Sequence, residues 1–552
     1  MLLLIQMSKV ANYLNEHILG EVSSNAAVRH AMSTDGSVLT IVPEMVVYPR
    51  TTNDIRKVAR FSNQLAEKGH ALPITARGGG SDQTAAAIGS GIILNTTAHM
   101  NAIFELDSKQ KLVRLQPGVN FKALNDALLL HGLHIPSYPA SAGYSTIGGA
   151  VANNASGILS GKYGSTGRWV HQLEIVLSNG DVMQTGRISK RELNRKKGQQ
   201  TFEGEVYRQI DNLITDNDDL IANSIALDVR DNAGYAGIVD VKRRDGSMDL
   251  TPLFIGSQGT LGIISELIMK AEYASAEVAV AALAFETHNA ARDAADSLRS
   301  LDPCLLEFID GPLFETALER GKKYRFYTDA IEQGEVAAVL LVGFDDMSER
   351  HRSKKIKKTR KLLQGQVSYM DVASDAAAAN ELLILRDVSS VVVVPDGNGE
   401  SAPPLVDGAY IPSERFEDFM TSLVALASKF AVQLPLYGRL LDNVYYVRPS
   451  LQLHKVGDKQ KVFKFVDEYS HLVVSHRGHL IGESAEGRFK ASFAYKEFDD
   501  DLMGLYDGIK AIFDPLEILN PGVKQKNELK TMVAMLRKEY NLAAFAGHSP
   551  TN

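Results

Sequence analysis

Cysteine is nearly missing from this sequence, which carries a single one, Cys304, among 552 residues. One thiol cannot ligate an iron–sulfur cluster or form a disulfide within the chain. Apolar runs are also short: none approaches the ~18–20 residues of a membrane helix, and Met1–Ile5 is too brief and lacks the basic flank of a signal peptide. We therefore expect a cytoplasmic protein that needs an organic cofactor for any electron chemistry, with Met7 as an alternative first residue.

Neither sign of charge dominates the chain, since 59 lysines and arginines face 66 acidic residues for a net charge of −7. This balance argues against a dedicated nucleic-acid-binding protein. Two basic tracts occur at 187–198 and 350–360. The first has few apolar positions and predicts a solvated loop, with a docking patch as the alternative. The second predicts an exposed helix face, and its charges are not interleaved with the aromatic residues that single-stranded nucleic acid stacks on.

Short strands and helices alternate along the first half of the chain. Strand patterns occur at 46–49, 71–75, 91–94, 111–115 and 173–177. After the first strand, Thr51 or Thr52 can cap a helix whose apolar residues recur at helical spacing. Further strand patterns at 275–286 and 339–344 begin a second region. The chain is therefore predicted to be an α+β protein with about three to four domain-sized units.

Three glycine-rich segments carry the chemical information. In the first, Gly78, Gly79 and Gly80 follow a predicted strand, so the backbone can adopt positive φ and turn its N–H groups towards an anion. Arg77 adds a positive charge, Ser81 adds a hydroxyl donor, and Asp82 ends the segment. The pattern suits a pyrophosphate, although a simple tight turn would also explain it.

The second segment, 136–157, and the third, 255–266, are dense in small residues, which let the backbone approach a large flat ligand closely. A packing helix would explain 148–155 but not the approach rich in proline and serine that precedes it. The third segment leads into a β-branched strand and matches neither a Walker A loop nor the Rossmann fingerprint. The candidate ligand-binding residues of these two segments are Ser141, Ser145, Thr146, Gly148, Gly149, Asn153, Gly157, Gly262 and Ile263.

Together the three segments resemble the PCMH-type (vanillyl-alcohol-oxidase-type) FAD-binding fold. Arg77–Asp82 is similar to its RGGGTS pyrophosphate loop, Ser145–Gly149 to its S/T-IGG segment, and Ile255–Glu266 to its GSEGTLGIIT segment. Near the end, 512–524 is similar to its FDP…LNPGK motif, which adds Asn520 to the cofactor-binding residues that the resemblance implies. Ser81 occupies the place of the histidine that tethers flavin in some relatives, so the resemblance implies non-covalent FAD.

The resemblance also implies the domain organisation. We expect a PCMH-type FAD-binding domain of two α+β subdomains, an α+β substrate (cap) domain and a short C-terminal segment that returns to the flavin. The expected bounds are 1–43 for a helical leader, 44–272 for the FAD-binding domain, 273–504 for the cap domain, 505–530 for the return segment and 531–552 for a tail.

Within this family the sequence is most similar to the D-lactate, glycolate and D-2-hydroxyglutarate dehydrogenase branch, because Arg230–Ala236 resembles its RKNxxGYxL segment. That branch binds a divalent metal through a GHxGDGNxH motif. Here Arg439 takes the place of the first histidine, and the second falls on Tyr446, or on Tyr445 if one residue is deleted. In the later GEHGxG motif Glu483 is kept, but Ser484 replaces the histidine that would act as a base.

These replacements remove the donors that a metal needs. Arginine is a cation and cannot ligate a metal, and a carboxylate with a tyrosine makes a poor zinc site. We therefore predict no metal site. His476 and His479, a few residues upstream, either compensate for the missing base or are exposed or strand-edge histidines.

Arg386 resembles the arginine with which the branch binds the substrate carboxylate, and a guanidinium suits that group geometrically. Arg439 is either a second anion contact or a salt-bridge partner of Glu483 or Asp442. The resemblance implies an FAD-dependent dehydrogenase or oxidase that takes hydride from a small anionic hydroxylated substrate, such as D-lactate, glycolate or D-2-hydroxyglutarate. Electrons then pass to an external protein, quinone or oxygen. The alternatives are a non-catalytic FAD-binding subunit of a larger oxidoreductase and a same-fold oxidase of a sugar or alcohol; the oligomeric state stays open.

Overall fold

The computed structural model describes residues 2–225, 231–275, 277–538 and 540, with side chains from residue 9 onward. Its strands form sheets of four, five, two and seven strands, and helices lie between and beside them. Among the helices in this described part of the chain, none has the length and apolarity to cross a membrane.

The first sheet is built from the N-terminal residues, with the strand order β1-β2-β4-β3. Its strands β2, β3 and β4 run parallel, and β1 is antiparallel to β2. Helix α3 packs on it through Ile55, Val58 and Ala59, and Thr51 is its N-cap because Thr51 and Asp54 form a capping box. The elements of this region are α1 (Leu2–His17), β1 (Glu21–Ser23), α2 (Ala26–Ala31), β2 (Met45–Tyr48), α3 (Thr52–Glu67), β3 (Ile74–Arg77) and β4 (Ile92–Asn95).

The second sheet is antiparallel and has the order β5-β6-β10-β8-β9. Helices that follow β9 pack together over a separate apolar core. The elements are β5 (Ile103–Asp107), β6 (Leu112–Leu115), α4 (Phe121–Leu129), β7 (Leu133–His134), α5 (Ile147–Ala152), α6 (Ser160–Tyr163), β8 (Val170–Val176), β9 (Val182–Gln184), α7 (Lys190–Lys197), α8 (Phe202–Asp216), α9 (Asp218–Ser224), α10 (Thr251–Phe254), β10 (Ile263–Lys270) and β11 (Glu272–Tyr273), with β11 paired to β7.

The third region is an antiparallel seven-stranded sheet in the order β15-β12-β14-β13-β17-β18-β16. The interior strand β14 is buried along its whole length. The elements are β12 (Ala279–Phe285), α11 (His288–Arg299), β13 (Leu305–Asp310), α12 (Gly311–Glu319), α13 (Arg325–Ile331), β14 (Ala338–Phe344), α14 (Glu349–Leu362), β15 (Tyr369–Val372), α15 (Ala376–Leu383), α16 (Val388–Val391), β16 (Ala409–Tyr410), α17 (Phe416–Phe430), β17 (Leu436–Arg439), β18 (Val444–Val447), α18 (Val456–Ser475) and α19 (Ala491–Ala494).

The chain then returns to the first sheet through α20 (Asp500–Phe513) and α21 (Leu529–Ala534). Leu519 forms a parallel bridge with Ile74 of β3, and the Asn520 amide donates to the Ile74 carbonyl at 2.8 Å. Farther on, Leu536 bridges Leu39, so the C-terminal segment also pairs with the loop before β2.

The strands predicted at 46–49, 91–94, 111–115 and 173–177 correspond to β2, β4, β6 and β8. Each predicted boundary is within three residues of the observed one. Strand β3 starts later than predicted, at Ile74, because Pro73 has no N–H to pair. The predicted loop over 187–198 is wrong: Lys190–Lys197 form α7 because Ser189 caps the helix and Leu193 buries its side chain. The tract at 350–360 lies on α14, a mostly exposed helix as expected.

Candidate functional site

The first glycine segment forms a tight loop directly after β3. A Cβ added to Gly78 would lie 2.1 Å from the Thr146 Oγ1 atom, and one added to Gly79 would lie 2.0 Å from the Tyr144 carbonyl oxygen. No side chain fits between these two segments, so only glycine lets the loop approach the start of α5 this closely.

A cavity lies between the first two sheets, and backbone of all three glycine segments lines it. The Thr146 hydroxyl caps α5 by accepting from the Gly149 N–H at 3.2 Å, and α5 places Gly148 and Gly149 on the wall. The predicted cofactor residues that line the cavity are Arg77, Gly78, Gly79, Gly80, Ser81, Asp82, Thr146, Gly148, Gly149, Asn153 and Gly262. Exposed backbone donors beside small residues suit the pyrophosphate of a dinucleotide.

An unused donor lies beside the cavity, on the residue that precedes Thr146 of its wall. The Ser145 hydroxyl is buried and makes no hydrogen bond to the residues that the structure describes. Buried hydroxyls are normally paired, so a partner from outside the chain is expected here. The residues present therefore suit FAD, and the three segments are the ones that would hold it.

Arg77 and Asp82 stabilise the glycine loop through hydrogen bonds of their side chains. The Arg77 guanidinium donates to the Ala87 carbonyl at 3.1 Å and passes beneath Gly80. Burial lowers the pKa of Arg77, although Asp35 nearby opposes that change. The Asp82 carboxylate accepts from the Ala86 N–H at 2.7 Å and from the Asn153 side chain at 3.0 Å. Asp82 thus ties the loop to the end of α5.

The remaining predicted cofactor residues are not among those that line the cavity. The Ser141 carbonyl accepts from the Ser145 N–H at 2.8 Å, and a Cβ on Gly157 would meet the Tyr138 carbonyl oxygen. Ile263 is buried in the apolar core between the first sheet and α3. The Asn520 side chain donates to the Ala86 and Gln258 carbonyls at 2.9 and 2.8 Å, so it fastens the return segment to two of the glycine segments.

Gln258, which the sequence analysis did not select as a site residue, joins the cavity to the third region. Its side chain donates to Asn153 Oδ1 at 3.0 Å and accepts from the Gly487 N–H at 2.9 Å. Gln258 has a φ of +53°, unusual for a residue other than glycine. The sequence feature that could have identified Gln258 as a site residue is a glutamine within a glycine-rich segment.

A polar cluster lies where the seven-stranded sheet meets the residues after α5. At the end of β17, Arg439 donates to both Asp442 carboxylate oxygens at 3.1 and 2.9 Å and to the Ser156 hydroxyl at 2.9 Å. Its Nη1 atom lies 2.7 Å from Glu483 Oε2. Burial opposes the charge, but Asp442 and Glu483 outweigh it and raise the pKa of Arg439.

Tyr446 belongs to this cluster and Tyr445 does not. Strand residues alternate between faces, and Tyr446 pairs with Tyr437 beside Arg439. The Tyr446 hydroxyl donates to Glu483 Oε2, and burial, with the Glu483 carboxylate, raises the pKa of Tyr446 well above its ordinary value. Tyr445 points to the opposite face and stacks on Phe416 with ring centroids 5.0 Å apart.

Ser484, the other candidate, is half-buried beside Glu483, and the neighbouring Ala485 amide donates to the Asn153 carbonyl at 2.9 Å. The two histidines lie elsewhere. The His476 ring bonds to the Leu472 carbonyl at 2.8 Å, and His479 lies 3.6 Å from Asp231. Arg230, part of the segment that indicated the branch, lies outside the described residues.

Arg386 approaches the same sheet face from the helical turn at Ile384–Asp387. Its Nε donates to Glu307 Oε2 at 2.6 Å, and Glu307 is the register partner of Arg439. Within the described part of the chain, the two terminal nitrogens of Arg386 make no hydrogen bond, and its side chain is 22% exposed. Glu307 therefore orients Arg386 through Nε alone.

Two further cations were missed, the partly buried Arg448 and the buried Lys490. The Arg448 guanidinium pairs with Asp407 at 2.8 Å through Nε and Nη2, and Lys490 donates to the Asp407 carbonyl. Burial lowers the pKa of Lys490, while Asp407 and Glu483 oppose that change. The sequence gives neither Arg448 nor Lys490 a catalytic or binding role, so their place beside Asp407 is known only from the structure.

The residues of the cluster do not fit a metal. Across the described ranges, no group of three or more His, Cys, Asp or Glu side chains could hold an ion. The carboxylates present, Asp442 and Glu483, already surround the Arg439 guanidinium.

Comparison with known proteins agrees with this architecture. The FAD binding domain family matches residues 43–186, and the C-terminal domain family of FAD linked oxidases matches residues 274–523. The structure is similar to that of p-cresol methylhydroxylase with substrate bound, with a TM-score of 0.70 and 13% identity over 95% of this chain and 97% of the other. The predicted PCMH-type fold and the FAD-binding assignment are confirmed.

Two curated relatives are closer in sequence to the chain than that solved structure is. The chain is 27% identical to the D-2-hydroxyglutarate dehydrogenase of Pantoea ananatis, over 91% of this chain and 50% of the relative. It is 26% identical to glycolate oxidase subunit GlcD of Bacillus subtilis, over 89% of this chain and 91% of the relative. The chain thus spans about half the length of the D-2-hydroxyglutarate dehydrogenases that it matches.

Proposed function

We propose, because this chain belongs to the FAD-linked oxidases, that it oxidises a small anionic hydroxylated substrate of the D-2-hydroxyacid class, such as D-lactate, glycolate or D-2-hydroxyglutarate. FAD, when bound, supplies the hydride acceptor. The names of the relatives support the substrate class. The electrons then leave to an external acceptor, which is a protein, a quinone or oxygen, and we place the protein in the cytoplasm.

The observation that carries this proposal is the geometry of Arg386. Glu307 holds it through Nε, so both terminal nitrogens stay available in a partly exposed guanidinium. A carboxylate binds a guanidinium through two parallel hydrogen bonds, which these two nitrogens can donate. Arg386 would therefore orient the substrate carboxylate on the sheet face that also carries Arg439 and Tyr446.

The neighbouring cluster supplies groups for the hydroxyl end of the substrate. Oxidation of such a substrate would break its C–H bond, for which FAD would supply the hydride acceptor, and its O–H bond, whose proton would pass to a base. Glu483 is a carboxylate within the cluster and would accept that proton, with Tyr446 as its hydrogen-bonded neighbour. Arg439 supplies positive charge beside the substrate oxygen.

The test is anaerobic titration of the FAD-loaded protein with D-lactate, glycolate and D-2-hydroxyglutarate, followed by flavin absorbance. We expect one of them to bleach the flavin. Arg386→Lys should raise the substrate concentration for half-maximal reduction by about tenfold or more, since lysine cannot donate the parallel pair. The control Arg325→Lys changes an arginine whose side chain is 47% exposed and should not alter the titration.

A second function, a non-catalytic FAD-binding subunit, is favoured by one observation: carboxylates already pair with both Arg386 and Arg439. A flavin that none of these acids reduces, but that dithionite does, would favour this alternative. Bleaching by a neutral sugar or alcohol instead would favour a same-fold oxidase of those substrates.

A further inference from the structure

The Arg439 guanidinium lies at the centre of the polar cluster. Only 3% of its side chain is exposed, and it is surrounded by the carboxylates of Asp442 and Glu483 and the hydroxyl of Ser156. The Tyr446 ring lies 5.8 Å from the guanidinium carbon. These oxygen atoms form a shell of the kind that a cation occupies. Here the cation is the Arg439 side chain itself.

One donor of this shell has no hydrogen-bond partner among the described residues. Arg439 Nη1 is buried and lies 2.7 Å from Glu483 Oε2, but its N–H bonds are not directed at that oxygen, so it donates no hydrogen bond to any described residue. Buried N–H donors rarely stay unpaired. An incoming oxygen atom would satisfy this donor, and one with negative charge would do so most strongly.

We infer that Arg439 acts as a built-in cation that takes the position of a divalent metal and offers its Nη1 donor to the substrate oxygen. A guanidinium cannot be removed by a chelator and keeps its charge at every working pH. The oxygens that would ligate a metal are already paired with Arg439, so an added metal would have to displace it. The role towards the substrate oxygen rests on the proposed function, whereas the exclusion of metal does not.

The experiment measures metal binding directly on the FAD-loaded protein. Zn²⁺ and Mn²⁺ are titrated separately by isothermal calorimetry into the wild type, Arg439→His, and the double variant Arg439→His with Glu483→Gln. The histidine supplies a nitrogen ligand beside Glu483 and Asp442, which completes a three-ligand site. We expect no stoichiometric binding by the wild type, one equivalent bound about tenfold or more tightly by Arg439→His, and loss of that gain in the double variant.

Two outcomes would overturn the inference. One is a wild type that binds one equivalent of either ion and loses it on Glu483→Gln, because Arg439 would then yield its position to metal. The other is Arg439→His with wild-type circular dichroism and FAD content but no gain in metal binding. If Arg439→His fails to fold, the wild-type titration still decides. None of these measurements needs turnover, so a failed hydroxyacid titration would refute the proposed function and leave the metal result intact.

Discussion

Lys524 and Glu486 form a fully buried ion pair, and breaking it is the sharpest stability test that the structure offers. Lys524 Nζ lies 2.6 Å from Glu486 Oε2, and both side chains are 0% exposed. Lys524→Met would leave a carboxylate in the interior whose remaining donors, among the residues that the structure describes, are the Gly234 N–H at 2.8 Å and the Tyr495 hydroxyl. Removing one partner of a buried pair costs about 3–5 kcal/mol because the other charge is left uncompensated.

The assay is urea unfolding of the FAD-loaded protein followed by circular dichroism and by the fluorescence of Trp169, the single tryptophan. Two probes are needed because a multidomain chain need not unfold in one step. Lys122→Met is the matched control: it removes an exposed pair with Asp126, whose side chains are 59% and 57% exposed, and should cost about 0–1 kcal/mol.

A second variant separates lost charge from lost packing. Lys524→Met combined with Glu486→Gln removes both charges while the Gln oxygen can still accept from Gly234, so it should recover part of the loss. The reasoning would be refuted if Lys524→Met unfolded at the same urea concentration as Lys122→Met, or if adding Glu486→Gln made the loss larger.

Three further predictions concern the site and its surroundings. Gly78→Ala should weaken FAD retention by about tenfold or more because its methyl would lie 2.1 Å from a threonine hydroxyl, whereas Gly143→Ala, with open space around it, should not; dialysis with absorbance measures both. Tyr446→Phe should slow stopped-flow flavin reduction by about a hundredfold, as for loss of proton-transfer assistance, and an equal effect of Tyr445→Phe would contradict this. Burial, with the nearby Asp82 charge, raises the pKa of Asp35 from 3.8 to about 6, so the native state binds more protons between these values. Stability should therefore fall by up to about 3 kcal/mol as pH rises from about 4 to about 6, and Asp35→Asn should remove that slope in urea unfolding.

The residues of the FAD-binding cavity could be predicted because the sequence features that build it are local. Consecutive glycines, a threonine before a glycine-rich helix and a preceding strand are all visible over short stretches, and the structure lines the cavity with Gly78, Thr146 and Gly149. In contrast, the sequence left Tyr445 and Tyr446 as alternatives. Strand alternation separates them only once the register of β18 against β17 is known, and that register depends on tertiary packing.

Other features needed the fold. Glu307 gave no signal because its role depends on its position opposite Arg439, 132 residues away along the chain, in a pairing between β13 and β17. Lys490 and Arg448 are ordinary basic residues in sequence, and their burial around Asp407 follows from the packing of loops onto the seven-stranded sheet. Helix α7 was missed because its basic residues hide the Ser189 cap and the single buried Leu193.

The contacts between residues 35–36 and residues 537–540 bear on the order of events during synthesis. The Arg537 guanidinium donates to the Asp35 carbonyl, and the Tyr540 hydroxyl donates to the Gly36 carbonyl at 2.7 Å, while the Gly36 N–H donates to Gly80 of the glycine loop at 3.0 Å. Contacts over such sequence separations cannot form until the ribosome has made nearly all of these residues. The nucleotide-binding cavity therefore stays incomplete in the nascent chain until residue 540 has been made, so we expect FAD to be captured only after that point.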